Sequence, residues 1–205
     1  MKRKKYNVQH KRDKKKGEII QSSAQLFVEK GFEKVTLSDI ASKNNLGRTT
    51  VYEYFNNKNE ILAAYLEREM TDYHKKVMAI MDKKVAFKIK LMEFIKLQLE
   101  YGSYHKSFSQ LFRSLSRSSG DISGKTEAAI RGKHQAIYAA LMNEFNAAIR
   151  RKEIRDLPAN ILMQLLINAT SFPVRSKKEP AQTAEEVFSI FWSGISNINF
   201  QAGRK

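Results

Sequence analysis

Residues 36–62 read TLSDIASKNNLGRTTVYEYFNNKNEIL, and two short helices meeting at a tight turn are legible in them. Thr36 with Asp39 three residues on is a capping-box pattern: the hydroxyl takes a free N–H of the first turn and the acid reaches back. Leu37, Ile40 and Ala41 give the first helix its apolar face. Asn44 and Asn45 tolerate turn conformations, so that helix ends near Lys43. A second helix starts after Gly47 and covers Arg48 to about Tyr54. Val51, Tyr54 and Phe55 are available to pack inward, which leaves Arg48, Thr49, Thr50, Tyr52 and Glu53 on or near the outer face. Asn57 with Glu60 is a further cap pair, opening a helix with Ile61, Leu62, Tyr65, Leu66 and Met70 at helical spacing.

A short helix that shows a guanidinium, hydroxyls and a phenol matches the second helix of a helix-turn-helix. Arginine can fork onto guanine O6 and N7, and threonine can bond phosphate or touch a thymine methyl. Tyrosine can reach phosphate through its hydroxyl. The charge supports a polyanionic partner. The chain carries +16, with 37 Lys/Arg against 21 Asp/Glu. Residues 1–58 hold 14 of these cations and six acids, half the net excess on under a third of the length. Residues 1–16, MKRKKYNVQHKRDKKK, hold nine cations and one acid, Asp13. With almost no apolar content they are expected to be a disordered basic arm over 1–13. The first helix is expected from about Lys14 to Lys30, with Ile20, Ala24 and Phe27 on one face and Gly31 at its end.

The Phe27–Gly31 helix end, Thr36–Asp39–Ile40–Ala41, Tyr52–Phe55 and Lys58–Glu60–Leu62 together resemble the TetR family of bacterial transcriptional regulators, over roughly Lys14 to Tyr65. The resemblance implies an all-α homodimer. An N-terminal three-helix helix-turn-helix DNA-binding domain, residues 14–58, would precede a larger helical effector-binding and dimerisation domain, residues 59–205. It implies repression at a palindromic operator, released by a small effector. The family's recognition positions fall on Arg48, Thr49, Thr50 and Tyr52, its phosphate-contacting lysine on Lys58 and its helix cap on Thr36. The chain departs from the pattern at Asn45, where the family commonly has Gly, and at Gly47, where it commonly has Ser or Thr. The second change removes a hydroxyl that could reach phosphate.

Beyond residue 70 the pattern is helical throughout, with segments expected at roughly 57–81, 84–102, 104–118, 123–152, 158–172 and 183–200. Ser114–Gly124 and Ser171–Gln182 are the most loop-like stretches, and Thr183 with Glu186 is a cap pair. Aromatic residues crowd the middle of this region, where the family keeps its effector cavity. Tyr101, Tyr104, His105, His134 and Tyr138 are the candidate polar tips of such a pocket, and a neutral or anionic apolar ligand suits it, since no excess of acids faces it. Ile161, Leu162, Leu165, Leu166 and Ala169 make one broad apolar stripe, and Val187, Phe188, Ile190, Phe191, Trp192 and Ile195 another. A terminal helix apolar on more than one face needs its own core and another chain. Leu162, Leu165, Leu166, Val187, Phe188, Phe191 and Ile195 are the expected dimer interface.

Several classes are excluded. The chain has no cysteine, so disulfides and thiolate metal sites are absent. The four histidines are scattered, and no GxGxxG or Walker-type loop occurs, so neither a metal nor a cofactor is expected, and no enzyme. Glu93 and Glu100 share a helix face with Lys90 and Lys96, which reads as a solvated ion-pair stripe rather than a catalytic carboxylate pair. No apolar run approaches the ~20 residues that span a bilayer, and a cytoplasmic, nucleoid-associated protein is expected, with no membrane partner. The rival reading is a TetR-like scaffold acting through a protein partner, as a nucleoid-associated regulator or co-activator. Such a scaffold would be expected to lose Tyr52, Lys58 and the basic bias, and this chain keeps all three.

Overall fold

The computed structural model describes residues 2–117, 121–171 and 179–197, with the side chains of 9–101, 107–117, 124–170 and 179–197. The helices are α1 Lys2–Lys30, α2 Leu37–Lys43, α3 Arg48–Tyr52, α4 Lys58–Met81, α5 Phe87–Glu100, α6 Gly102–Arg117, α7 Asp121–Arg150, α8 Ala159–Ser171 and α9 Pro180–Ile195. The fold is all-α; among the described residues β pairing is confined to one isolated bridge, Ile154 to Ser196.

The basic segment departs from expectation: α1 is helical from Lys2. Lys, Arg and Gln are good helix formers, and residues added to an existing helix do not repeat the cost of nucleation. Gln9 also bonds Asp13 one turn on, at 2.9 Å. Ile19, Ile20, Ser23, Ala24, Leu26 and Phe27 are the buried face. Gly31, at φ 83°, ends the helix in a conformation that suits glycine. A 3-10 turn at Phe32–Lys34 then brings the Phe32 ring edge-on to Phe27 at 5.1 Å.

Two compact units emerge, Met1–Thr71 with Ser107–Arg131, and Asp72–Lys106 with Gly132–Lys205. The boundary expected at residue 58 therefore lies further on, and the first unit also takes in parts of α6 and α7. The reason is packing. Ile61, Leu62, Tyr65 and Leu66 at the start of α4 are buried in this unit, as are Leu111, Leu115 and Ile130. The Thr126 hydroxyl, itself buried, donates to the Glu67 carboxylate at 2.7 Å. Helix covers most of the stretch expected to be loop at Ser114–Gly124, and residues 118–120 lie outside the described residues.

In the second unit α5 packs against α8 and α9. Phe87, Leu91, Phe94, Ile95, Leu141, Phe145, Leu166 and Ile195 are buried there, and the Phe87 and Phe145 rings meet edge-to-face at 5.0 Å. Lys90 does not join a solvated stripe: it is buried, donating to the Met81 carbonyl at 2.5 Å and the Glu144 carboxylate at 2.8 Å. It thereby closes the C-terminal end of α4 with a cation, where the helix leaves carbonyls free. Glu93 pairs with Lys83 at 2.6 Å. Helix α9 starts at Pro180 rather than at the Thr183–Glu186 pair, because proline at the first position already has helical φ. Thr183 sits inside the helix and donates to the Glu179 carbonyl at 3.2 Å. The Trp192 ring stacks on Phe188 at 5.9 Å, with the Lys88 ammonium 5.6 Å from its centroid. Of the loop expected at Ser171–Gln182, residues 172–178 lie outside the described residues, as do the last residues of the helix expected to reach 200.

Candidate nucleic-acid interface

The turn between α2 and α3 is built as its local chemistry requires. Thr36 caps α2: its Oγ1 accepts from the Asp39 N–H at 3.1 Å, and its own N–H donates to the Asp39 carboxylate at 2.9 Å. The Thr36 hydroxyl also donates to that carboxylate at 2.6 Å. These bonds and the Lys30 ammonium hold the Asp39 carboxyl down at about 2. With its one proton used in the box, Thr36 sets the angle of α2 and keeps no donor for phosphate. Asn44 bonds the Ile40 carbonyl at 2.8 Å and receives the Ser22 hydroxyl of α1 at 2.9 Å. Asn45 takes the left-handed conformation at φ 53°, which asparagine accepts where most residues would be strained. Gly47 caps α3 without a side-chain bond.

Helix α3 is one turn and a half, anchored by Val51, which is fully buried. It ends at Tyr52, short of the expected Tyr54; Tyr54 follows it half-buried, and Phe55 is buried. Arg48 and Thr49 are exposed, Thr50 is half-buried and Tyr52 is 45% exposed. Arg48 lies one turn before Tyr52; its guanidinium is 5.7 Å from the Tyr52 ring centroid and donates to the phenol oxygen at 3.4 Å. The two side chains thus support each other, and because the phenol oxygen accepts in this bond its proton stays available for an outside acceptor. All four expected recognition positions stand on this one helix.

Lys58 is different. Its ammonium donates to three backbone carbonyls, Phe32 at 2.9 Å, Glu33 at 2.9 Å and Val35 at 3.1 Å, and lies 4.6 Å from the Phe32 ring centroid. An ammonium has three protons, so in this arrangement none remains for phosphate. Lys58 ties the start of α4 to the turn that precedes α2. Sequence reasoning also missed Arg12 and Lys16 of α1. Arg12 donates to the Glu53 carbonyl just past α3 at 3.2 Å and covers the Tyr54 ring at 5.8 Å, while Lys16 covers Phe55 at 5.2 Å. The pairing spans 41 positions, and the one signal in sequence was an aromatic pair facing a basic run.

Of the five expected effector residues, Tyr101, His134 and Tyr138 have described side chains. Tyr101 is half-buried, its hydroxyl taken by Lys76 and donating to Asp72 at 3.2 Å. That contact, with Asp72 at 2.9 Å, raises the Lys76 ammonium and lowers the Asp72 carboxyl. His134 and Tyr138 are exposed on α7, and the side chains of Tyr104 and His105 lie outside the described residues. The inward positions of α7 in this unit belong to Ile137, Leu141, Phe145 and Ala148. A groove of about 350 Å³ does open between α4 and α5, with Ala79, Ile80 and Leu97 as its floor and Lys76, Lys83, Lys96, Glu93 and Glu100 around it. None of the five candidates lines it. Among the described residues no group of His, Asp and Glu could hold a metal, and no helix is long and apolar enough to cross a membrane.

The expected dimer residues divide. Leu162, Leu166, Phe188 and Ile195 are buried in their own chain. Val187 and Phe191 are half-buried. Leu165 is 55% exposed, and two residues the expectation left out are exposed as well, Ile161 on α8 at 53% and Ile190 on α9 at 77%. Both lie in the apolar stripes, but on α8 the apolar runs Ile161–Met163 and Leu165–Ile167, parted only by Gln164, do not reveal which of their residues turns inward.

Residues 19–65 match the model of the bacterial regulatory proteins, tetR family. Among solved structures, the ketosteroid transcriptional regulator KstR2 of Mycobacterium tuberculosis shares the fold at a TM-score of 0.72 and 17% identity, over 89% of this chain and 95% of that one. AibR, solved with isovaleryl coenzyme A and operator DNA, aligns at a TM-score of 0.70 and 15% identity, over 86% of this chain and 97% of that one. The regulator FadR from Bacillus subtilis, solved with stearoyl-CoA, aligns at 0.64 and 18%, over 86% and 97%. No curated protein matches the sequence.

Proposed function

We propose that this chain, whose residues 19–65 are those of the TetR family of bacterial regulators, is a homodimeric repressor that reads a palindromic operator in double-stranded DNA and is released by a small apolar effector. The observation that carries the reading is the exposed polar face of α3. Arg48, Thr49 and Tyr52 stand outward over a fully buried Val51, in a segment that holds half the net charge of the chain. Arg48 is assigned to a base edge, Thr49, Thr50 and Tyr52 to phosphate or base edges, and Thr36 and Lys58 to holding the reading helix in place. The exposed aliphatic side chains Ile161, Leu165 and Ile190 are assigned to the partner subunit. The complexes of AibR and FadR with acyl thioesters of coenzyme A support an apolar effector with an anionic head. The lysine-rich rim of the α4–α5 groove suits the same chemistry. The protein is placed in the cytoplasm, at the nucleoid.

The test is selection of duplexes from random sequence by the purified protein, followed by titration of the selected site and of random DNA. Arg48→Ala is expected to cost about 1–3 kcal/mol on the selected site and to relax preference at one base pair per half-site. An unchanged ratio of selected to random affinity would show that α3 does not read sequence.

A further inference from the structure

We propose that residues 2–12, the basic extension of α1, form a rigid helical clamp on the phosphate backbone of duplex DNA flanking the half-site that α3 reads. The proposal rests on the DNA-binding reading above and adds a second contact surface to it. Three observations carry it. First, Lys2–Lys30 is a single helix, yet from Gln9, where its described side chains begin, to Glu18 none is buried, and Ile19 is the first that is, so residues 9–12 contribute nothing to the core. Second, residues 2–16 hold nine cations against one acid, and Gln9, His10, Lys11 and Arg12 are exposed. Third, the extension is pinned where the reading helix ends. Arg12 donates to the Glu53 carbonyl at 3.2 Å and covers Tyr54, and one turn later Lys16 covers Phe55. A charged arm hanging from a domain sweeps a volume; this one departs from a fixed point beside α3 in a fixed direction.

The geometry sets the reach. Residues 2–11 add roughly 15 Å of helix beyond Arg12 at 1.5 Å each. At 3.4 Å per base pair along a strand, that is about four to five base pairs outside the half-site. The composition sets the partner. Packed like charges one turn apart destabilise an isolated helix, and a polyanion relieves them. A helix that lies in a membrane surface needs a continuous apolar face, and between Lys2 and Lys16 the apolar residues are Tyr6 and Val8. A helix also loses less freedom on binding than a disordered arm of equal charge.

Two variants separate charge from rigidity. Deletion of residues 2–11 removes Lys2, Arg3, Lys4, Lys5 and Lys11 and leaves the Arg12 anchor. Gln9→Pro keeps every cation and breaks the helix between extension and anchor. Each is titrated on the selected duplex with ten-base-pair flanks and with flanks trimmed to the half-sites, across a salt series, and melting temperature serves as the folding control. In the full chain, trimming is expected to weaken binding about tenfold or more. The deletion is expected to abolish that difference, to lower the slope of log K against log salt by about two to four units, and to leave melting within a few degrees. Gln9→Pro is expected to keep part of the slope and lose the dependence on flank length. A deletion with unchanged slope and flank dependence overturns the clamp, and if Arg48→Ala still erases site preference the parent reading survives it. Gln9→Pro behaving as the full chain overturns the helical part. Binding of the full chain, but not the deletion, to phosphatidylglycerol vesicles with an unchanged DNA slope overturns it in favour of a membrane. Loss of slope on random DNA without any selected site supports the clamp while the operator reading fails.

Discussion

Helix α3 and the α8–α9 pair both present side chains that the chain's own core does not use, and the chemistry of what they present is opposite. On α3 the outward residues are a guanidinium, two hydroxyl side chains and a phenol; on α8 and α9 they are Ile161, Leu165 and Ile190. An exposed polar face is at equilibrium with water and gains only by meeting donors and acceptors in the right places. Exposed aliphatic side chains gain by any dry contact of matching shape, at roughly 25 cal/mol per Å² removed from water. The first surface therefore demands a specific partner, and the second any apolar surface that fits it. Each is supported by a neighbour in sequence that is fully buried: Val51 beneath α3, Leu166 beside Leu165 on α8.

The comparison breaks most visibly on α8. Leu166→Ala should cost about 2–5 kcal/mol in chemical denaturation at fixed protein concentration, because it empties a fully buried site. Leu165→Ala, one residue away, should cost under about 1 kcal/mol when dilution removes association; equal losses would mean that the two faces are not distinct. Next in size is the combined change Leu165→Glu with Ile190→Glu. It should leave the helical circular dichroism signal intact and weaken self-association by on the order of 3 kcal/mol, about two decades in dissociation constant. A light-scattering mass that stays dimeric at micromolar concentration would move the interface elsewhere.

On the other side of the comparison, Lys58→Met sharpens what holds α3. It should lower stability by about 1–2 kcal/mol, since three carbonyls lose a charged donor, one of them exposed and two half-buried. The salt slope of DNA binding should stay within half a unit, whereas a direct phosphate contact would take away about one. The smallest effect expected is a gain. At Gly47, φ is −68° and an added Cβ would meet only the Thr50 hydroxyl oxygen at 3.9 Å. Gly47→Ser should stabilise the first unit by a few tenths of a kcal/mol by supplying the missing cap. Melting that is unchanged or lower would show that the serine hydroxyl does not reach the free N–H groups of α3.

What the sequence made legible was what short spacing decides. The Thr36–Asp39 box, the left-handed Asn45, the glycine at 31 and the inward Val51 follow from residues within four positions of each other, where backbone chemistry leaves few choices. What stayed hidden depends on partners far along the chain. Lys58 looked free to contact phosphate because the carbonyls it holds lie 23 to 26 positions earlier. Lys90 looked solvated because Glu144 is 54 positions away. The basic arm looked disordered because nothing within it foretold that Glu53 and Tyr54 would hold Arg12. The exposure of Tyr138 was hidden for another reason: being aromatic with a polar tip describes equally a pocket wall and a side chain on the outside of α7, where Tyr138 stands.

Trp192 is the chain's one tryptophan, and it lies in the second unit, stacked on Phe188 and beneath the Lys88 ammonium. Its indole N–H is buried with no hydrogen-bond partner among the described residues. The tryptophan thus stands in the α5–α9 packing, and the unit that carries α3 has only tyrosines as fluorophores. Tryptophan emission, excited at the red edge where tyrosine does not absorb, reports on the second unit alone, while far-ultraviolet circular dichroism weighs both. Melts followed by the two signals would coincide if the units unfold together and separate if they do not, so the cooperativity between the two units can be observed without attaching any label.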